Sequence, residues 1–393
     1  MAVWGLWRFG YRFVVVSWLA YNGAMDVLIT ILAATVVLGF LVAIHEGGHF
    51  VAARAFGVRV SEFMIGLPGP RIGVQRGETT FGVTAVPLGG YARVCGMEPG
   101  EMSPYLLASM ASVYARGSAL MEEVALDCGI TDDEAYEALE ELTEWGMVLG
   151  PKKTDEYNTY RVPERKPTRF QIWRAQRGGR PAPERLEEGK PHALSDPQTF
   201  FKAEYAQQYR ALPAWKRIVI LLAGPGVNLV FAILAFVLIY SVFGFDYQNT
   251  QTGEISHVTV SPLKAIEAGF MYIAMVVQAV IGLFNPQTAA ETVSNSTSVV
   301  GIAVMSKSAF EAGLTEVLTF TSMLSVSLGV MNLLPIPPLD GGRFVIEIYQ
   351  RIRRKAVGAR AMNYLSFAGI ALFMVFFIVM MNQDIQRFIF GNW

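Results

Sequence analysis

LVAIHEGGHF, residues 41–50, ends an apolar run with two histidines and a glutamate. Charged side chains at the centre of a membrane helix cost about 2.5–3.5 kcal/mol each on insertion scales, and those that persist are functional by default. Residues four apart share one face of an α-helix, so His45 and His49 present two imidazoles to a single point, with Glu46 one position round. The pattern is that of a zinc hydrolase centre: two His ligands, a third protein ligand elsewhere, water in the fourth place and a glutamate as general base. Chance pairing of two helix histidines is the bland alternative, but the chain has only 4 His, and two of them flank a glutamate at this spacing.

The surrounding composition agrees with a membrane setting. Of 393 residues, 52% are apolar and only 17% charged, and the mean hydropathy is +0.36, too apolar for an ordinary soluble enzyme. The net charge of −1 gives no footprint for nucleic acid. Cys95 and Cys128, the only 2 cysteines, exclude both a disulfide framework and a Cys-based zinc site. Roughly 17–25 mostly apolar residues cross a bilayer as a helix, and four stretches qualify: 27–52, 218–243, 315–334 and 361–381. Residues 269–284 are apolar but short, which favours an interfacial or re-entrant helix. The leader 1–24, with Arg8 and Arg12 before a short apolar run, reads as a signal-like or interfacial segment, and Met25 is an alternative start.

Most Lys and Arg fall between the first two spans and in the loop 343–360, whereas 245–314 holds only Lys264 and Lys307. By the positive-inside rule the basic segments face the cytoplasm. Residues 57–94 alternate Val, Phe, Ile and Thr between Gly and Pro, the signature of a small hairpin sheet. Residues 104–163 read instead as helix, helix, strand, turn, strand, with Thr131 as an N-cap, an order that resembles a winged helix. Glu122, Glu123, Asp127, Asp132, Asp133, Glu134, Glu137, Glu140, Glu141 and Glu144 crowd this module with no Lys or Arg between Gly117 and Pro151. DNA reading needs the opposite sign, so no nucleic acid is expected and the insert reads as a site for a cytoplasmic protein partner. Residues 164–200 read as a flexible linker.

The expected architecture is an α-helical polytopic membrane protein: about four transmembrane helices, a small membrane-associated β-hairpin sheet and a cytoplasmic winged-helix-like α+β insert. Its divisions are a leader at 1–24, a first span with the histidine motif at 25–56, the hairpin region at 57–100, the insert at 101–163 and a linker with an amphipathic approach at 164–213. A second span at 214–244, a short external segment at 245–298 and the last two spans at 299–393 complete it.

The third ligand has few candidates. His192 and His257 read as surface residues. Asp340, in NLLPIPPLDGG (332–342), follows a span where prolines break the helix and two glycines permit a tight turn. Broken backbone at membrane depth lines a cavity or is buried in protein. A lone Asp before Gly-Gly is more often a turn residue, but the histidine motif in the same chain reverses that preference.

HEGGH, VPLGGYARV (86–94), AGPGVN (223–228) and NLLPIPPLDGG together resemble the site-2 protease family of intramembrane zinc metalloproteases, in its bacterial branch. The likeness covers about 27–100, 201–243 and 299–382. It implies one Zn²⁺ per chain held by His45, His49 and Asp340, Glu46 as the base, and Asn228 and Asn332 supporting the substrate backbone or the oxyanion. The implied activity is cleavage of a single-span membrane protein within or beside its helix, in the bacterial inner membrane near its cytoplasmic face, releasing a cytoplasmic regulator. Zinc suits two imidazoles and a carboxylate best, and iron or cobalt fits the same donors.

A helix resists proteolysis until unwound, and a strand edge can hold an unwound segment by main-chain hydrogen bonds. Gly89, Gly90 and Tyr91, in the strand ending LGGYARV, are therefore candidate substrate-binding residues, although a hairpin that merely plugs the site mouth accounts for the same pattern. Two departures from the family stand out: the PDZ region between the second and third spans is reduced or absent, and the acidic insert is extra. Two other readings are a membrane-anchored zincin with a glutamate third ligand, for which no suitable Glu follows HEGGH, and a non-catalytic adaptor that recruits a partner through the insert.

Overall fold

The computed structural model describes residues 2–86, 89–98, 100–155, 157–167, 169–177, 185–248, 255–294, 296–355 and 357–390; Pro87 and Leu88 of the VPLGGYARV stretch, and 178–184 of the expected linker, lie outside that set. Helix α1, Ala2–Ala55, is helical from within the expected leader and breaks its geometry at Gly23, where φ is +74°. Its part Met25–Ala55 is long and apolar enough to cross a membrane.

Strands β1 (Val60–Ile65), β2 (Arg71–Arg76), β3 (Thr79–Thr84) and β4 (Gly90–Val94) form one sheet in the order β2-β3-β1-β4. The expected small hairpin sheet is present, with a strand order that the sequence left open. β2 and β3 do form a hairpin, but β3 then lies parallel to β1, and β4 pairs antiparallel with β1 on the far side. Alternation along the sequence identifies strands and their faces, yet leaves partners open. Here the segment Gly66–Pro70 carries β2 past β1, so that β3 returns beside it.

The insert holds α2 (Leu106–Arg116), β5 (Ser118–Leu120), α3 (Met121–Cys128), α4 (Asp132–Glu144) and β6 (Thr159–Arg161), with β5 antiparallel to β6 and Arg161 paired also with Leu149. The expected order lacked the first helix and first strand, because α2 is rich in Ala and Ser and β5 is only 3 residues long. Thr131 caps α4 as expected: its Oγ1 accepts from Glu134 N–H while Glu134 Oε2 accepts from Thr131 N–H, a reciprocal box. Met110, Tyr114, Leu139, Leu142, Trp145 and Tyr160 form the module's buried core. Leu186 joins that core and pairs with Arg165, so this part of 164–200 is packed rather than a free linker. Helices α5 (Arg169–Arg177) and α6 (Pro197–Tyr205) follow, the latter capped by Asp196.

Helix α7 (Ala214–Val237) continues as an apolar span to Phe243. The hairpin β7 (Phe245–Gln248) and β8 (Ile255–Val258) leads to α8 (Pro262–Gly282), α9 (Ala289–Ser294), α10 (Val299–Ala312), α11 (Leu314–Asn332), α12 (Asp340–Arg353) and α13 (Ala359–Asp384). Among the described residues five stretches have the length and apolarity to span: Met25–Ala55, Ala214–Phe243, Pro262–Gly282, Leu314–Asn332 and Arg360–Phe388. The fifth beyond the expected four is α8. Proline at its first position starts the helix at 262 rather than 269, adding two turns that carry Lys264 and Glu267 and that an apolarity scan passes over.

The chain divides into two compact units: Met1–His45, Gly224–Arg343 and Leu365–Trp393 in one, Glu46–Ala223 and Phe344–Tyr364 in the other. In the first, Ala232, Phe236, Ile239, Val280, Val326 and Val330 form the core. Small residues set the approach of α11 to α7: Ser325 Oγ donates to Asn228 O at 2.9 Å, and a Cβ on Gly329 would lie 3.0 Å from Leu229. Asp384, fully buried, accepts from the N–H groups of Ser298 at 2.6 Å and Gly301 at 3.1 Å and so anchors the start of α10. In the second unit, Phe50 of α1 packs edge-on against Phe63 and Phe81 of the sheet. Buried Arg59 bridges Glu78 at 3.2 Å and Glu204 at 2.9 Å, and Arg165 meets Glu204 at 2.8 Å, tying sheet, insert and α6 together.

Candidate active site

Because α1 runs unbroken from Met25 to Ala55, His45 and His49 stand one turn apart on it. Both are buried, with exposures of 7% and 8%. One ligand atom each from His45, His49 and Asp340 lies within 4.8 Å of the others, and His45 Nε2 is 3.1 Å from Asp340 Oδ2. His49 Nδ1 is 2.7 Å from Ile220 O, a contact that only an Nδ1–H makes, so Nε2 is the nitrogen left to ligate. Pro225 lies inside α7. Asn228, one turn further, places Nδ2 3.2 Å from His45 Nδ1.

Asp340 is the first residue of α12, where the helix dipole favours a carboxylate. The turn that carries it tolerates no side chain: a Cβ on Gly341 would overlap the carbonyls of Leu333 and Leu334, and one on Gly342 the backbone of Ile336 and Pro337. Gly369 of α13 meets the same turn, with its Cβ position overlapping Pro337 O.

Glu46 Oε2 accepts from Ala92 N–H at 2.9 Å. Among the described residues β4 is an edge strand, paired only with β1, and Ala92 sits opposite Phe63 in that ladder. Gly89 enters β4 at φ +94°, backbone that favours glycine, with its carbonyl accepting from Gly66 N–H at 2.7 Å; Gly90 and Tyr91 pair with Ile65 and Met64. Asn332 donates from Nδ2 to Leu328 O of its own helix. His192 packs its ring on Tyr114, and His257 lies between Asp246 and Phe243 O, so neither joins the metal group. Ala92, the Ile220 carbonyl and Gly369 had no sequence signal of their own, since each acts through backbone or through the absence of a side chain.

The donor set fits zinc: two neutral imidazoles and one carboxylate leave a fourth position open. Buried Asn228 Oδ1 has no partner among the described residues and lies on the amide that faces His45, the kind of outer group that orients a ligating histidine. Comparison with known proteins agrees. The model for Peptidase family M50 matches residues 33–376. Similar proteins include the Regulator of sigma-W protease RasP of Bacillus subtilis, 24% identical over 91% of this chain and 98% of its own length. The zinc metalloprotease RasP of Geobacillus kaustophilus is 24% identical over 93% and 99%. A putative zinc metalloprotease of Campylobacter jejuni is 25% identical over 92% and 94%. The protein is a zinc metalloprotease of multi-pass bacterial membrane type, and the chain belongs to peptidase family M50, the site-2 protease family.

Proposed function

We propose that this chain is an intramembrane endopeptidase that cuts single-span membrane proteins within or near their transmembrane segment, in regulated proteolysis that releases a cytoplasmic regulator. The contact between Glu46 and Ala92 carries this reading, because it sets a carboxylate beside the open edge of β4. An unwound stretch of substrate added to that edge by main-chain hydrogen bonds lies alongside the base. His45, His49 and Asp340 hold the zinc. When bound there, zinc supplies Lewis acidity and brings the pKa of its water toward neutrality. Glu46 takes the proton from the attacking water and returns it to the leaving nitrogen. The Ala92 N–H donates to its Oε2 and so aims it. Asn332 supports the substrate backbone.

The basic loop 343–360 supports a site toward the cytoplasmic side of the inner membrane. A relative named as a regulator of sigma-W protease supports a regulatory role. The insert 101–163 is a winged-helix-like module for a cytoplasmic protein partner. The test compares zinc content and cleavage of a single-span reporter for wild type, Glu46→Gln and Asp340→Ala. Wild type should hold about one zinc and cut, Glu46→Gln should hold zinc and be inert, and Asp340→Ala should lose zinc. A folded wild type without metal refutes the proposal.

A further inference from the structure

Asn228 is completely buried in α7, its backbone carbonyl held by Ser325 Oγ at 2.9 Å. Its Nδ2 faces His45 Nδ1 at 3.2 Å while Oδ1, on the same amide, meets no donor among the described residues. On the other side of the ring, Nε2 faces Asp340 Oδ2 at 3.1 Å. With Nδ2 turned to it, Nδ1 accepts from the amide, and the tautomer that suits both contacts carries its proton on Nε2, toward the carboxylate. Ligation through Nε2 needs the other tautomer, because the lone pair that binds a cation must be free and the ring proton must then sit on Nδ1. A half-turn of the Asn228 amide exchanges Nδ2 for Oδ1, and the carbonyl oxygen accepts that Nδ1–H in place.

We infer that Asn228 is a positioning residue for the metal centre: its reversible amide sets the tautomer of His45 and so fixes Nε2 as the ligating atom. His49 has the same provision in fixed form, the Ile220 carbonyl at 2.7 Å from its Nδ1. The proton count on His45 is unchanged by the switch, since one N–H is exchanged for the other. Only a side chain that can both donate and accept at one point serves both tautomers, which asparagine does and an apolar or purely donating group does not. The inference rests on His45, His49 and Asp340 being the metal set. It also separates Asn228 from an oxyanion role: oxyanion support affects turnover and leaves metal affinity alone, whereas tautomer control affects metal affinity first.

The experiment is zinc titration of the full chain in detergent against a competing chelator, with the visible spectrum of the Co²⁺-loaded protein as a second readout. Wild type, Asn228→Leu, Asn228→Asp and His45→Ala are compared. Asn228→Leu should bind zinc about 10–100-fold more weakly, the range for lost outer partners of ligating groups, and should show altered Co²⁺ bands. Asn228→Asp keeps an acceptor for Nδ1–H and should restore both readouts to near wild type. Asn228→Ala, smaller at the contact with α11, takes the place of the leucine variant if that fails to elute as folded protein, with the same expected loss. Equal zinc affinity in wild type and a folded Leu or Ala variant overturns the inference while leaving the metal set intact, as does an Asp variant as weak as the apolar ones. Equal zinc affinity in wild type and His45→Ala overturns the metal set and the inference with it.

Discussion

Replacing Arg59 by methionine keeps the unbranched stem and deletes a charge that is 2% exposed. The wild-type guanidinium lies 2.9 Å from Glu204 and 3.2 Å from Glu78, and donates to Trp145 O at 3.3 Å. The variant leaves Glu204 to Arg165 at 2.8 Å and Glu78 to Arg54 at 3.6 Å, while Trp145 O retains Gln208 at 3.4 Å. Removing one partner of a buried ion pair costs about 3–5 kcal/mol. Both carboxylates keep a second arginine, so the lower end applies, about 3 kcal/mol. At 1.4 kcal/mol per factor of ten, amides that exchange through opening of this unit should exchange about 100-fold faster. Hydrogen exchange of the full-length protein in detergent, read at β1 and at the Cys95 N–H that donates to Arg59 O, measures it. Arg59→Met with Glu204→Gln removes both charges and should recover much of the protection. An acceleration below about fivefold, or a double variant no better than the single, would refute the reasoning. Burial alone would raise the Glu204 carboxyl, but Arg165 and Arg59 hold it below its ordinary value; Glu78 is lowered by Arg59 and Arg165 in the same way. Their contribution is therefore complete above the ordinary carboxylate pKa, about 4.3, and is lost as pH falls through the lowered folded values. Arg59→Met should shrink that acid-side loss.

Gly369→Ala should disturb the turn carrying Asp340, because its Cβ overlaps Pro337 O, and zinc content should fall although residue 369 holds no ligand; full zinc occupancy in the variant would contradict the packing. Ala92→Pro deletes the N–H that meets Glu46, so zinc content should stay near wild type while reporter cleavage drops by about 100-fold, the scale of an ångström-level misplacement; unchanged cleavage would sink the edge-strand proposal. Burial pushes the Glu144 carboxyl up to about 7, its neighbour Glu98 donating a backbone N–H at 3.2 Å while repelling as a charge. A raised carboxyl favours the fold below its unfolded pKa, about 4.3, and that stability is lost as pH rises through about 7. Glu144→Gln should flatten this decline when unfolding is followed by Trp145 fluorescence across that window.

The parts of the proposed site that the sequence made legible are those where a side chain is assigned the chemistry. His45 and His49 declare themselves by spacing, and Asp340 by the prolines and glycines around it, because an ionisable group in an apolar context is seldom kept without a function. The supporting shell is written in groups that every residue has, or in atoms that are missing. Ile220 contributes a carbonyl, Ala92 an N–H, Gly369 the absence of a Cβ, and none of these is distinguishable in sequence from the same residue in a neutral position. The fold shows the same division. Spans and the capping box at Thr131 follow from local periodicity and local hydrogen bonding, but the parallel pairing of β1 with β3 and the insertion of Leu186 into the insert core depend on partners distant in sequence. The start of α8 escaped for a third reason: Lys264 and Glu267 dilute its apolarity where Pro262 fixes its first turn. Asn228 falls between the two classes. Its amide is visible in AGPGVN as a polar group in an apolar helix, yet whether it faces substrate or a histidine depends on the approach of α7 to α1, which brings it to His45 Nδ1. The chemistry of the centre is thus local in sequence, and its precision of aim is tertiary, carried by backbone groups and close glycine contacts.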